Sequence, residues 1–497
     1  MPAVRHFLVP SMLAGIIALP LALREETRTG SPSAADDTLV ILSPHTESIQ
    51  REFGEAFATH WKAATGRTVY IDWRTPGGMS EIRMVIDAGY QAAAETGRDG
   101  IGADVLFGGG EPDFAEQARK GRLVPLRVFD RHPEWFGPEG PVRVTFSGER
   151  FFPPDKVWVG TCLAQFGICH NPDGIGRLGI PAPVTWDDLG DPRLFGHIAL
   201  SDPTKSGSVA RSFELVVQSK MQQSIRSSEP SGAAGAATGW DEGLRLLQRM
   251  AANSRYFTDS ASRIPQEVAQ GNAVAGMCID LYGRSFQTDL RKRDGGPRLI
   301  WHAPPGGSTV SADPVGVFRG APNADLAQAF VEFCLSPAGQ TLWFGKPGTQ
   351  GGPRNRALHR MPIRSDVFTP ENLAKATDSV TDPYRSAELL AYDRELTGRA
   401  FGTLRKIVRV MCIDTHEEMK SAWAAIIRAG MPADALAVFH DITALPYAEV
   451  GHGDPLLDSP DPLVAEKRAS DLANRFRENY RRAEALARQH IEHREHP

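Results

Sequence analysis

Two loops of this sequence carry polar groups in a pattern that binds anions. Ser206-Gly207-Ser208 precedes a predicted helix, so its backbone N–H groups and hydroxyls stand at a positive helix end. That arrangement suits a carboxylate, a phosphate or another anion, and it also serves as an ordinary N-cap. Gly77-Gly78 with Ser80 makes a similar opening upstream, where a plain turn is the alternative. A third loop, Gly108-Gly109-Gly110, lacks the spacing of a dinucleotide fingerprint, and the chain holds no GxSxG elbow, no P-loop and no HExxH. The familiar hydrolase, nucleotide and zinc-protease chemistries are therefore disfavoured. The five cysteines, Cys162, Cys169, Cys278, Cys334 and Cys412, form no CxxC pair and have no His at zinc-ligand spacing. No disulfide framework or zinc site can be read, and Cys162 and Cys169 fall on opposite faces of one predicted strand.

Such loops need strands that end in them and helices that start from them. Leu39 to Leu42 reads as a buried strand, the turn Ser43-Pro44-His45-Thr46 follows, and a helix with the stripe Ile49, Phe53, Phe57 and Trp61 stops at Gly66. Thr68 to Trp73 repeats the unit, with Ser80 as the expected cap of a helix carrying Ile82, Val85, Ile86 and Tyr90. Ala103 to Phe107 opens a third unit, ending in Gly108-Gly109-Gly110. Strands followed by Gly- or Ser-bearing loops and helices build a parallel sheet that presents ligands at its strand C-termini. Trp158 to Asn171 is apolar, β-prone and long enough to cross between lobes. Beyond it the pattern resumes with His197 to Leu200, Ser206 to Ser208, and Ala273 to Ile279 followed by Asp280-Leu281-Tyr282-Gly283-Arg284. Residues 298 to 318 are again extended and would return the chain to the first lobe. After about residue 370 the sequence turns helical and charged, with a final stripe of Leu472, Phe476, Tyr480, Ala483 and Ala487.

At 497 residues, 41% hydrophobic and 23% charged, the chain is ordinary globular material of about two to four domains or lobes. Its 55 Lys and Arg against 60 Asp and Glu give a net charge of −5, which disfavours nucleic acid as a partner. Arg5 followed by the uncharged stretch Phe7 to Leu23 reads as an export signal, cleaved or retained as an anchor. With Pro10 and Pro20 inside it, the stretch is marginal as a span against the ~20 residues a bilayer core needs. The expected location is periplasmic or extracellular.

The order of these motifs resembles the extracellular solute-binding proteins of ABC importers. The resemblance runs through Leu39 to Thr46, Ala103-Asp104-Val105, Phe166-Gly167-Ile168, Thr185 to Leu189, Asp202-Pro203 with Ser206-Gly207-Ser208, and Asp313 to Val317. Within that class it is most similar to the type 2 group of ferric-iron binders and their thiamine, polyamine and organophosphonate relatives. It covers roughly residues 37 to 370. It implies an α/β fold, a two-lobed type 2 periplasmic-binding-protein clamp with two hinge crossings, to which this chain adds a helical C-terminal extension. The implied division is 1–36 as signal and linker, 37–158 with 304–370 as lobe 1, 159–303 as lobe 2 and 371–497 as the extension. The implied partners are a small ligand, ferric iron or a small anion, and a membrane permease, and the expected state is a monomer that is not an enzyme.

The expected ligand contacts are His45, Gly77, Gly78, Gly109, Ser206, Gly207, Ser208, Tyr282 and Arg284. Tyr282 follows a strand where the resembling iron binders place tyrosine ligands, and a phenolate is a hard donor for Fe³⁺. Those proteins commonly supply two adjacent tyrosines, whereas Leu281 precedes Tyr282 here. His45, Tyr282 and Asp280 form a partial metal site, Arg284 makes an anion site the alternative, and a structural role for Tyr282 is the third. An enzyme on the same fold, or an exported sensor or scaffold docking through its C-terminal helices, are the competing functions.

Overall fold

The computed structural model describes residues 35–227, 232–291, 295–377, 382–386 and 388–495. Strand β1 (Asp37–Leu42) buries its last four residues, pairs in parallel with β2 (Val69–Arg74) on one side and with β3 (Val105–Phe107) on the other. Helix α1 (Glu47–Thr65) follows β1 and buries Ile49, Phe53 and Phe57. It ends on Gly66 at φ 73°, a left-handed conformation that only glycine adopts without cost. Helix α2 (Met79–Glu95) follows β2 and α3 (Glu111–Arg119) follows β3. The cap of α2 is Gly78, and the expected cap Ser80 lies inside the first turn, because the Gly78 carbonyl already accepts the N–H of Ile82 at 3.0 Å. Buried Asp104 fixes this corner: its carboxylate accepts from the N–H of Val40 at 2.9 Å and of Asn323 at 2.6 Å.

Strand β4 (Val159–His170) is twelve residues long and buried almost throughout. The second half of the fold then adds β5 (Ile198–Ser201), α4 (Gly207–Ser227), α5 (Ala233–Asn253), β6 (Ser254–Thr258), β7 (Ala275–Ile279), α6 (Asp280–Asp289), β8 (Ile300–His302) and β9 (Val310–Phe318). Val159 to Gln165 of β4 pairs with β9, whereas Phe166 to His170 pairs with β7 and β8. The hydrogen-bonded order is β2-β1-β3-β9-β4-β7-β5-β6, so β4 belongs to both halves and joins them. The register of β9 against β4 shifts between Asp313 and Pro314, where proline has no N–H to give.

Two large cores sit on either side of that shared strand. One gathers Leu39, Phe53, Phe107 and Cys162 with Phe330 of α7 (Ala324–Leu335) and Trp343; the other gathers Cys169, Ile198, Phe213 and Trp240. The result is a two-lobed α/β clamp. All five cysteines are free and buried.

The second core also contains the C-terminal helices α8 (Phe401–Val408), α9 (His416–Arg428) and α10 (Pro462–Glu495). The stripe Leu472, Phe476, Tyr480, Ala483 and Ala487 of α10 is buried there, so the face that would have docked on another protein is covered by the chain itself. The indole N–H of Trp240 donates to the Leu445 carbonyl and that of Trp423 to Asn253 Oδ1, both at 2.9 Å. The export segment, Phe7 to Leu23, lies outside the described residues. No helix among the described residues is long and apolar enough to cross a membrane.

Candidate functional site

A cavity of about 570 Å³ lies between the lobes. His45, Gly77, Gly78 and Gly109 line it from the first lobe, and Ser206, Gly207, Ser208 and Tyr282 from the second. The topology explains the convergence, since β1, β2, β3, β5 and β7 all direct their C-terminal ends to this cleft. Arg284 is the exception. One turn into α6, it lines a separate cavity of about 470 Å³ and lies 5.1 Å over the Trp301 ring. The helical period carries a residue two positions past Tyr282 to another face.

The first-lobe loops pack closely. Gly108 has φ 89° and a Cβ there would lie 2.2 Å from His45 Nε2; Gly109 has φ 119° and its Cβ would meet Met79 Sδ at 2.7 Å. A Cβ on Gly78 would lie 3.7 Å from the Lys205 carbonyl, which places the starts of α2 and α4 beside each other across the cleft. Helices α1, α2 and α3 begin at Thr46, Gly78 and Gly110 with no side-chain cap. The starts of α1 and α2 thus bring first-turn N–H groups and dipoles to the cavity, whereas at α3 the buried Asp113 carboxylate takes the Gly110 N–H. At the start of α4, Ser206 Oγ accepts from the Val209 N–H at 3.4 Å and lies 3.2 Å from Ser208 Oγ.

At one end of the cavity stands Arg360, 5% exposed. Its Nη2 donates to Asp313 Oδ2 at 2.5 Å, and Nη1 lies 3.8 Å from Asp280 Oδ1. Nε and Nη1 are buried and make no hydrogen bond. Burial opposes the guanidinium charge, but Asp313 and Asp280 hold its pKa above the ordinary arginine value. Burial raises Asp280 to about 6 even with Arg360 and Arg284 pulling the other way. Burial also raises Asp313 and Tyr282. His45, stacked on Phe107 with ring centroids 4.6 Å apart, is pushed down to about 3 by burial and by Arg360. Its imidazole is therefore neutral at physiological pH, and both ring nitrogens are buried without a hydrogen bond.

Sequence patterns pointed to the loops and to Arg284, and missed Arg360, Arg211 and Arg405. Arg360 follows His359 in an irregular segment, just before the short strand Met361–Pro362 that pairs with β4. The only local signal is a basic pair between Leu358 and Met361. Arg211, also on the cavity wall, is saturated by Glu149 and, at 2.5 Å, by Glu214. For a metal, His45 and Tyr282 both sit in the field of Arg360, which opposes a cation there. Among the described residues no group of three or more His, Cys, Asp or Glu side chains is placed to hold a metal ion.

Residues 163–362 match the family model for bacterial extracellular solute-binding proteins. An uncharacterized protein of Haemophilus influenzae is 27% identical over 260 residues, 50% of this chain and 63% of its own length. The phosphoglycerate transport regulatory protein PgtC of Salmonella typhimurium is 27% identical over 184 residues, 37% of this chain and 40% of its own length. The chain thus spans less than two thirds of either relative. Among solved structures it is similar to the periplasmic binding protein AfuA from Actinobacillus pleuropneumoniae, bound to fructose-6-phosphate, with 19% identity, a TM-score of 0.49 and coverage of 75% of this chain and 98% of that one. Iron-bound HitA from Pseudomonas aeruginosa gives 16%, 0.47, 75% and 99%.

Proposed function

Starting from a chain that carries a bacterial extracellular solute-binding domain over residues 163–362, we propose that it captures a small organic anion of the phosphate-ester class between its lobes and delivers it to the membrane permease of an ABC importer. The observation that carries this reading is Arg360, buried at the cavity with Nε and Nη1 lacking hydrogen bonds. A buried donor without a partner costs about 1–3 kcal/mol, more when charged, and an anionic oxygen removes that cost. The starts of α1 and α2, without side-chain caps, supply further N–H groups and positive field. The name of the Salmonella relative supports a phosphorylated solute. The chain acts by binding rather than turnover, on the periplasmic or extracellular side of the membrane, and works as a monomer.

Calorimetry with 3-phosphoglycerate, glycerol 3-phosphate, inorganic phosphate and ferric citrate tests it. A phosphate ester should bind the parent, and Arg360→Lys, which keeps the charge and loses the fork, should weaken binding at least tenfold, as expected for a hydrogen bond to a charged group. Tyr282→Phe should change it less than threefold. Iron binding with a visible phenolate band that Tyr282→Phe abolishes would overturn the anion reading in favour of Fe³⁺ held by His45 and Tyr282.

A further inference from the structure

Part of the cleft wall comes from outside the matched domain. Phe401 and Arg405 of α8, in the C-terminal extension, line the same cavity as His45 and Ser208. Arg405 Nε donates to the Pro203 carbonyl and Nη2 to the Thr204 carbonyl, both at 2.7 Å, in the loop that leads to Ser206. Neutral carbonyls thus hold the guanidinium in place and leave its charge uncancelled by direct pairing. The charged groups around it are Arg83 of α2, Asp113 of α3 and Asp202, and Arg83 Nε lies 3.5 Å from Asp113 Oδ1. The groups that act most on Arg360 are instead Asp313, Cys162, Asp280 and Tyr282. Besides Arg360 and the carboxylate-paired Arg83 and Arg211 of the clamp, the cavity wall therefore carries a guanidinium supplied by the extension.

We propose that the C-terminal extension completes the binding site, with Arg405 a specificity-determining residue that takes the second acidic group of a solute whose first is held at Arg360. This rests on the anion reading above and narrows it to solutes with two acidic groups. Helix α8 is seated by Leu404, Ile407 and Val408 in the second core, and Arg405, tied to the Pro203 and Thr204 carbonyls, lines the cavity beside them.

The test is calorimetry on the full chain with 3-phosphoglycerate and glycerol 3-phosphate, three-carbon phosphate esters in which a carboxylate replaces a hydroxymethyl group. The parent should prefer the two-acid compound at least tenfold. Arg405→Gln should reduce that preference to within twofold while the chain remains folded at the assay temperature, and Arg405→Lys should restore part of it. An unaltered preference in Arg405→Gln, while Arg360→Lys loses binding, overturns this proposal and leaves the anion reading standing. If neither compound binds the parent, or Arg360→Lys binds as the parent does, both fall. Should Arg405→Gln melt well below the parent, Asp113→Asn decides: removing the carboxylate that competes for Arg405 must raise the preference, and no change overturns the proposal.

Discussion

At the scale of single residues, the cleft is a competition between its own carboxylates and the solute for a few guanidinium groups. Asp113 shows the balance. Burial raises its pKa to about 6, against the pull of Arg83 and Arg405, so it is ionised at neutral pH and becomes neutral on mild acidification. Because its folded-state value exceeds the ordinary carboxylate value near 4, the folded chain binds this proton more tightly than the unfolded one. The resulting penalty grows as pH rises from about 4 to about 6 and is complete above that. Asp113→Asn should therefore melt above the parent at pH 7.5, by at most about 3 kcal/mol in stability, with the gap closed near pH 4. The affinity of the variant for 3-phosphoglycerate should also exceed that of the parent at pH 7.5 and approach it near pH 5. Paired melts and titrations at those pH values check both, and a pH-independent gap would assign the carboxylate no titration in this range. Arg360 and Arg405 were illegible beforehand for a physical reason. A guanidinium gains its role from what the fold brings to it, and neither residue sits in a repeating local pattern.

At the scale of elements, the strand–loop–helix units were the legible part, because a period of two followed by a period of 3.6 with glycine between them is written locally. His45, Gly77, Gly109, Ser206 and Tyr282, expected by that rule at strand-end loops, line the cavity, whereas Arg284 lines another, because the expected loop Asp280 to Arg284 is the first turn of helix α6. The α2 start shows a second limit. Ser80 has the chemistry of a cap, but the extended Gly78 takes the position first. Close approach among the loops makes their glycines sensitive. Gly108→Ala would put a methyl group 2.2 Å from His45 Nε2 at a φ of 89° that L residues rarely adopt. Backbone strain of this kind costs about 1–3 kcal/mol, and the imidazole must also leave the face of Phe107. The variant should lose that much stability in urea unfolding and bind phosphate esters at least tenfold more weakly. A variant indistinguishable from the parent in both would show that the loop relaxes freely.

At the scale of the whole molecule, the extension is packed as a continuation of the second lobe and is tied to the first. Before α8, the Tyr392 N–H donates to the Ser147 carbonyl at 2.7 Å and Arg394 Nη1 to Glu111 Oε1 at 2.8 Å, both in the first lobe. The Tyr392 hydroxyl donates to Glu214 Oε1 of α4 at 2.9 Å, and the Arg211 guanidinium stacks 3.7 Å from the Tyr392 ring centroid while pairing with Glu149. Deeper in the extension, Trp423 of α9 is fully buried, stacks on Phe439 with centroids 5.2 Å apart and donates its N–H to Asn253 at the end of α5. Helicity after residue 370 was readable, whereas its attachment was not, because contacts between α5 and α10 join residues as distant as Gln248 and Tyr480, whose hydroxyl lies 3.2 Å from the Gln248 amide nitrogen. If α5 and α9 share one core, they must open together. Trp423→Ala should cost about 3–5 kcal/mol, the range for deleting a large buried aromatic side chain. Hydrogen exchange should then lose protection in α5 as well as in α8, α9 and α10, while β1 to β3 keep theirs. Loss confined to residues 401–495, with α5 as protected as in the parent, would make the extension a separate folding unit and remove the rigid seat from which α8 holds Arg405 at the cleft.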